Sequence, residues 1–406
     1  MTTVVISPYS VANRPEIGGH FWVYLQYAHG LRRLGCDVVW LEALRRDDPH
    51  RPTSAIPTFF RRMEHYGLGG RAILYETAAS NGEDGVRFIG VSPAKAEALL
   101  SRADLLLNFH YAIDPHVLGR FRRTALVDID PGLLQFWISS GQLRVPPHNL
   151  YLTIGETVGA PGARIRDCGL PWIRTRSPVC LDLWPYGHDP ACRRFTTVST
   201  WLGGEYVTEG QGEGKRVLYQ NDKRVSFLKF AELPARTSSE LELAIYLRDR
   251  LDAADRELLE QNGWRIRHAL EVARTPDRYR AYIQASRGEF SCVKPSCIEF
   301  QNAWVSDRTL CYLASGKPVV VQDTGPSSFL PNGEGMFRFS TIDEAAEALA
   351  AIDEHYERHC RAARAIAEAF FDSQTALSDM LNLIDRTPDR ASEPPGCPES
   401  ARHRGR

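Results

Sequence analysis

Short apolar runs alternate with amphipathic stretches along most of this chain. Five runs stand out in its first part: VVISPY from Val4, DVVWLE from Asp37, LLLNFH from Leu105, TALVDID from Thr124 and LYLTIG from Leu150. They are short and almost continuously apolar, the pattern of strands buried on both faces of a parallel sheet. Between the first two lies HFWVYLQYAHGLRRLG, in which Phe21, Leu25, Ala28 and Leu31 or Leu34 recur at helical spacing and Gly35 is positioned to end the helix. Strand, helix, strand in this order builds a parallel sheet covered by helices.

The stretch from Pro178 to Arg194, rich in proline and turn residues, reads as an interdomain linker. A second alternation follows it, with FTTVSTWL from Phe195, LELAIYL from Leu241, WRIRHAL from Trp264, EFSCVK from Glu289 and PVVVQDT from Pro318. Helical patterns such as AADRELLEQNG and PDRYRAYIQASRG separate most of these, and Pro276 suits the first turn of the latter. From Ile342 to Ile384 the pattern is helical and alanine-rich, enough for one or two long helices. The expected fold class is therefore α/β, two Rossmann-like domains in tandem. The expected boundaries are 1–188, 189–366, a final helix over 367–386, and a tail over 387–406 with too little apolar surface to order itself.

Composition narrows the function classes. A chain of 406 residues is too long for one ordinary core. Its formal net charge of −1 gives no basic excess, which argues against a nucleic-acid partner. No apolar run is long enough for a transmembrane segment, and MTTVVISPYS lacks the basic-then-apolar order of a signal peptide. Nine cysteines without a C-x-x-C pair argue for reduced thiols and a cytoplasmic protein. Cys292 and Cys297 are the nearest pair, but no further His or Cys completes a metal site, so no metal is expected.

Candidate chemistry gathers at strand ends, where open α/β sheets bind ligands. VSDRTLCYLASGKPVVVQDTG, from Val305, reads as a short helix, a glycine turn and a buried strand. The unpaired N–H groups of its helix start attract an anion, Arg308 adds a bidentate donor fork and Thr309 a hydroxyl. That is equipment for a diphosphate; with Ser306 as N-cap and Asp307 in the first turn, it is equally that of an ordinary capped helix. The glycine cluster EGQGEGKRV, from Glu209, matches neither a P-loop nor a dinucleotide fingerprint and reads as a hairpin turn. Near the N-terminus, in NRPEIGGHFW, Gly18 and Gly19 let backbone approach a ligand, and His20 follows at the helix start. His110, at another strand end, suits a sugar or acceptor contact or a structural role. Asp128 and Asp130, in LVDIDPG, are carboxylates either of which could orient His20, although Asp130 before Pro131 also suits a plain turn.

The segment YIQASRGEFSCVKPSCIEFQNAWVSDRTLCYLASGKPVVVQDTG resembles the donor-domain signature of bacterial glycosyltransferases with the GT-B fold, the family 1-like group related to the spore-coat type. Their pattern is an S-x-R-x-F-E-A-x-A-x-G helix followed by P-V-V. Ser306, Arg308, Ala314, Gly316, Pro318, Val319 and Val320 match it. Cys311 departs from it, standing where relatives carry a ribose-holding glutamate; Glu299 is the nearby carboxylate that could substitute. The resemblance implies an N-terminal acceptor domain, a C-terminal domain for a nucleotide-diphosphate sugar, and a last helix crossing back onto the first domain. It implies that the loop of Gly18, Gly19 and His20 borders acceptor and sugar, and that Lys223 reaches the phosphates, with Arg224 and Lys229 as rivals. The expected activity is a metal-independent, hexosyltransferase-like transfer to an unknown acceptor hydroxyl, needing no cofactor beyond the sugar nucleotide. His20 would be its general base. Two alternatives share the fold: a nucleotide-sugar epimerase, which needs no acceptor pocket, and a non-catalytic sugar-nucleotide binding protein, for which Cys311 is the ground. A dehydrogenase is disfavoured by the missing G-x-G-x-x-G after the first strand.

Overall fold

The computed structural model describes residues 1–45, 48–49, 51–77, 86–202, 205–209, 216–248 and 250–387. Eight strands form the first sheet: β1 (Thr3–Ser7), β2 (Asp37–Ala43), β3 (Ala72–Thr77), β4 (Val86–Ile89), β5 (Leu105–Asn108), β6 (Thr124–Asp128), β7 (Leu150–Thr153) and β8 (Trp172–Arg174). Their order across the sheet is β4-β3-β2-β1-β5-β6-β7-β8. Every pairing is parallel except that of β3 with β4. The chain then enters a second sheet at β9 (Arg194–Thr200) and makes an antiparallel pair, β10 (Glu205–Glu209) with β11 (Arg216–Gln220). The glycine-rich turn expected there lies outside the described residues. The second sheet is completed by β12 (Glu240–Tyr246), β13 (Arg265–His268), β14 (Gly288–Ser291), β15 (Val319–Gln322) and β16 (Met336–Phe339). Its order is β13-β12-β9-β14-β15-β16, parallel throughout. Two helix-flanked, Rossmann-like sheets in tandem are the architecture that the alternating runs imply.

Local chemistry explains the elements that frame the site. The helix Gly18–Arg33 buries Phe21, Leu25, Ala28 and Leu31 on one side and ends where Gly35 takes a φ of +84°, which lets Cys36 N–H reach back to Leu31 C=O at 3.1 Å. The helix Pro276–Gln284 begins at a proline, and Thr275 caps it by accepting from Arg278 N–H at 3.2 Å. The C-terminal stretch divides into three helices, Ile342–Glu354, Tyr356–Phe370 and Ser373–Arg386, rather than one or two. The last of these packs on the first domain: a methyl on Gly30 would meet Leu377 Cδ1 at 2.5 Å. Val179 N–H donates to Phe371 C=O at 2.7 Å and Ser373 N–H to Val179 C=O at 3.0 Å, so the expected linker and the return crossing run side by side. Among the described residues no helix is long and apolar enough to cross a membrane.

The two sheets are held in register by two sets of contacts. In the first, the Trp22 indole is buried against Trp184, 4.8 Å between ring centres, and donates to Pro276 C=O at 2.9 Å. In the second, Glu156 accepts from Ser327 Oγ at 2.5 Å and Ser328 N–H at 2.6 Å, and its own N–H donates to Asn302 C=O at 3.0 Å.

Inside the second domain, β14 carries a carboxylate in a fully buried strand. Glu289 is 0 % exposed, and Arg308 from the following helix Asp307–Ala314 pairs with it, Nε to Oε1 at 2.6 Å. The guanidinium also donates to Val198 C=O at 2.9 Å and to Ser291 Oγ at 2.5 Å. Burial works against both charges; the Glu289 carboxylate beside it still raises the Arg308 pKa above the usual arginine range. Removing one member strands the other without water. Arg308→Ala should therefore lower stability by about 3–5 kcal/mol, measured by denaturant unfolding. The companion Arg308→Met/Glu289→Gln should regain most of that loss.

Candidate active site

Each sheet has one place where its strand order reverses. In the first sheet β1 lies between β2 and β5, and in the second β9 lies between β12 and β14. Ligands of open α/β folds sit at the carboxyl ends of the strands at such points. Three cavities open there, of about 490, 750 and 240 Å³. They share walls. His20 and Asp307 line the first and second; Thr200, Lys223 and Ser306 line the first and third; Asp130 and Trp304 line the second and third. Together they make one branched cleft between the domains.

The cationic side belongs to the second domain. Lys223 opens the helix Lys223–Leu228, is buried, and lines two of the cavities. Burial, then the neighbouring Arg308 and Lys294 charges, push its ammonium pKa down to about 7. Its two sequence rivals point elsewhere: Arg224 pairs with Asp255 at 2.5 Å, and Lys229 is exposed. Ser306 is the N-cap of the helix Asp307–Ala314, yet its side chain makes no capping bond and it borders the cleft. The expectations for its neighbours need correction. Arg308 reaches the wall of the first cavity, but it does not present a free fork to a diphosphate, because Glu289 beneath it takes the guanidinium. Thr309 is buried and lines a small void of about 20 Å³ rather than any of the three cavities. Glu299 stands on the exposed face of Pro295–Phe300, while Ser296 and Cys297 of that helix line the third cavity. It does not replace the glutamate missing at Cys311; the carboxylates that do line the first cavity are Glu16 and Asp307. The Cys311 thiol lies in the same wall, and burial raises its pKa so that it stays protonated.

The glycines before His20 serve packing. A methyl on Gly18 would lie 2.4 Å from the Thr275 carbonyl, and one on Gly19 would lie 2.7 Å from the Tyr279 ring. Both absent side chains make room for the second domain rather than for a ligand, although Gly19 also edges the first cavity. His20 then points into the cleft. Its Nε2 lies 2.6 Å from Tyr9 C=O, which makes Nε2 the protonated nitrogen and leaves the Nδ1 lone pair open. Burial lowers its pKa, against the opposing pull of the Tyr9 carbonyl and Asp130, so the ring is neutral near pH 7.

Neither aspartate holds the far nitrogen of His20, because a backbone carbonyl already does. Asp128 ends β6 and turns into the protein, where its carboxylate accepts from Gln135 Nε2 at 2.8 Å, Thr153 Oγ1 at 2.8 Å and Asp130 N–H at 3.0 Å. Burial, opposed by those hydrogen bonds, pushes it up to about 7. Despite their D-x-D spacing the two do not converge: only Asp130 faces the cavities, acting on His20 through its field. Across the cleft, burial and then the Asp130 charge push Asp307 up to about 7. His110 lines the second cavity, 5.2 Å from the Tyr9 ring, and burial together with Arg45 pushes it down to about 4.

Sequence reasoning passed over Tyr9, Arg45, Tyr111, Lys294 and Trp304, which also line the cleft. Tyr9, Tyr111 and Lys294 each lie within three residues of the carboxyl end of β1, β5 or β14, the signal that could have found them. Among the described residues no group of three or more His, Cys, Asp or Glu side chains is arranged to hold a metal ion.

Comparison with protein-family profiles and with curated proteins finds no match to this sequence. Comparison with solved structures finds many. A glycosyltransferase from Rickettsia africae aligns over 95% of this chain and 98% of its own, at 11% identity and a TM-score of 0.52. Anabaena HepE, in a structure holding UDP and glucose, aligns over 95% and 100%, at 13% identity and a TM-score of 0.57. An α-glucosyltransferase held with UDP and a 13-mer DNA containing a HMU base aligns over 95% and 99%, at 10% identity and a TM-score of 0.58. At such identities the likeness is one of architecture, and it covers both domains: this chain has the two-domain GT-B fold seen in those structures.

Proposed function

We propose that this protein moves a sugar from a nucleoside-diphosphate sugar to an acceptor hydroxyl, without a metal. The observation that carries the reading is the shared wall. His20 and Asp307 separate a cavity bounded by Lys223 and an unfilled helix start from a second, roomy cavity in the first domain. Epimerisation would use the first cavity alone. The structural neighbours that hold UDP make uridine diphosphate the natural first probe.

In this reading residues 189–366 bind the donor and 1–188 the acceptor. The nucleoside lies in the first cavity between the end of β9 and the helix Ala269–Ala273. The diphosphate meets Lys223, Lys294, the Ser306 hydroxyl and the first N–H groups of Asp307–Ala314, whose dipole favours negative charge. Arg308 contributes through its field and by holding that helix start in place. The sugar sits at the junction beside Asp307 and Asp130. There the two carboxyls accept from its hydroxyls and favour the positive charge that grows on the anomeric carbon. An acceptor hydroxyl entering from the second cavity attacks that carbon and gives its proton to His20 Nδ1. The bond to the diphosphate oxygen breaks, and the leaving charge is met by cations already in position.

Removing a general base costs about 10²–10⁴ in rate. His20→Ala should lose turnover by that factor while UDP affinity, measured by calorimetry, stays near wild type. The product should carry the inverted anomeric configuration; retention, seen by NMR, would end the base assignment.

Lys223 binds a diphosphate only when protonated, and its pKa near 7 lies in the working range. UDP affinity should therefore hold up to about pH 7 and fall roughly tenfold or more by about pH 9. Proton uptake should appear in calorimetry across buffers of different ionisation heat, and Lys223→Met should abolish it.

Asp307 titrates in the fold near 7, above an unfolded carboxylate. Between those values the folded chain keeps a proton that the unfolded chain releases, so stability falls as pH rises and the deficit is full above about 7. Asp307→Asn should then stabilise the protein by roughly 1–3 kcal/mol at pH 8, with little change near pH 4, and should lower turnover. Thermal unfolding at the two pH values, paired with rates, checks this.

A further inference from the structure

The second cavity is walled by six aromatic side chains, Tyr9, Tyr24, Phe109, Tyr111, Trp137 and Trp304, and has a volume of about 750 Å³. Flat apolar rings of this kind accept the face of a sugar or another ring. The polar groups fall into two sets. His20, Asp130 and Asp307 stand at the junction with the other cavities. Arg45 and His110 line this cavity and neither of the other two, and the Arg45 charge bears on His110.

Arg45 is held there by its own backbone. Its N–H donates to Asn13 Oδ1 at 3.2 Å, and its C=O accepts from Arg51 at 2.7 Å. The guanidinium lies over the Tyr9 ring, 5.6 Å from the centre, and donates to the Tyr9 hydroxyl. The nearby Arg14 has an acid partner, Asp48 at 2.8 Å, whereas among the described residues Arg45 has none. His110 beside it is neutral, so among the described residues that line this cavity Arg45 carries the positive charge. A planar cation without a counter-charge, fixed at the mouth of an aromatic pocket, is complementary to a carboxylate or phosphate on a ring-shaped ligand.

We propose that the second cavity takes an acceptor whose ring lies against the aromatic wall and whose anionic group is read by Arg45. The acceptor is then a small acidic glycoside, a uronic acid or a sugar phosphate, with its reacting hydroxyl toward His20. The proposal rests on reading this cavity as the acceptor side, but its binding arm needs no donor.

The test is calorimetric titration of the full chain with 4-nitrophenyl β-D-glucuronide, 4-nitrophenyl β-D-glucoside and the glucoside 6-phosphate. At least one anionic probe should bind about tenfold or more tighter than the neutral one, and which of the two does so identifies carboxylate or phosphate. Added salt should weaken the anionic probe and leave the glucoside unchanged. Arg45→Gln should bring the affinities together, and its melting temperature should match wild type. Equal affinities in the wild type, binding by none of the probes, or a preference that survives Arg45→Gln would overturn the proposal. Turnover of UDP-sugars is assayed separately. Anionic preference without sugar transfer keeps this inference and overturns the transferase reading; transfer to neutral acceptors without that preference does the reverse.

Discussion

The buried pair of Glu289 and Arg308 sets the geometry on which the donor side of the cleft depends. A carboxylate inside a parallel sheet has no water to solvate it, so the guanidinium must come to it. That requirement anchors the helix Asp307–Ala314 to β14 and β9 and fixes where its first turn opens. Ser306 and Asp307 face the cleft because Arg308 is turned inward. Burial first, then the same guanidinium and Lys294, push the Lys223 ammonium down to about 7. A residue that sequence alone casts as a ligand contact thus acts from beneath the surface.

The alternation of runs made the tandem architecture legible, and all ten runs read as strands are strands. The strands not named among the runs are β3, β4, β8 and β16, with β10 and β11 beside the expected hairpin turn. β8 has only three residues, and β4 is a half-exposed antiparallel edge with no clean alternation. β3 is an apolar run that was simply not singled out. At the site, position was readable and partnership was not. His20, Asp130 and Asp307 could be placed at the cleft because strand ends and helix starts are local features, and Lys223 through the resemblance. That Glu289 would claim Arg308, or that Thr275 would fill the space above Gly18, depends on contacts between distant segments, which no local pattern encodes.

The cleft keeps its acid–base groups close to neutrality by desolvation rather than by pairing. His20 is oriented by a carbonyl instead of a carboxylate, so its tautomer is set without raising its basicity through a contact ion pair. Asp307 and Lys223 are both shifted toward their uncharged forms by burial. Such groups are costly in the empty protein and become favourable only when a ligand supplies the missing partner, a common compromise between stability and activity.

The two chain crossings between the domains have a mechanical meaning. Because Val179 is bonded to Phe371 and Ser373, the outgoing and returning segments form a single narrow ribbon. That ribbon joins the domains at one edge, while the contacts of Trp22 and of Glu156 join them elsewhere, so any change in the width of the cleft has to break one of those two sets.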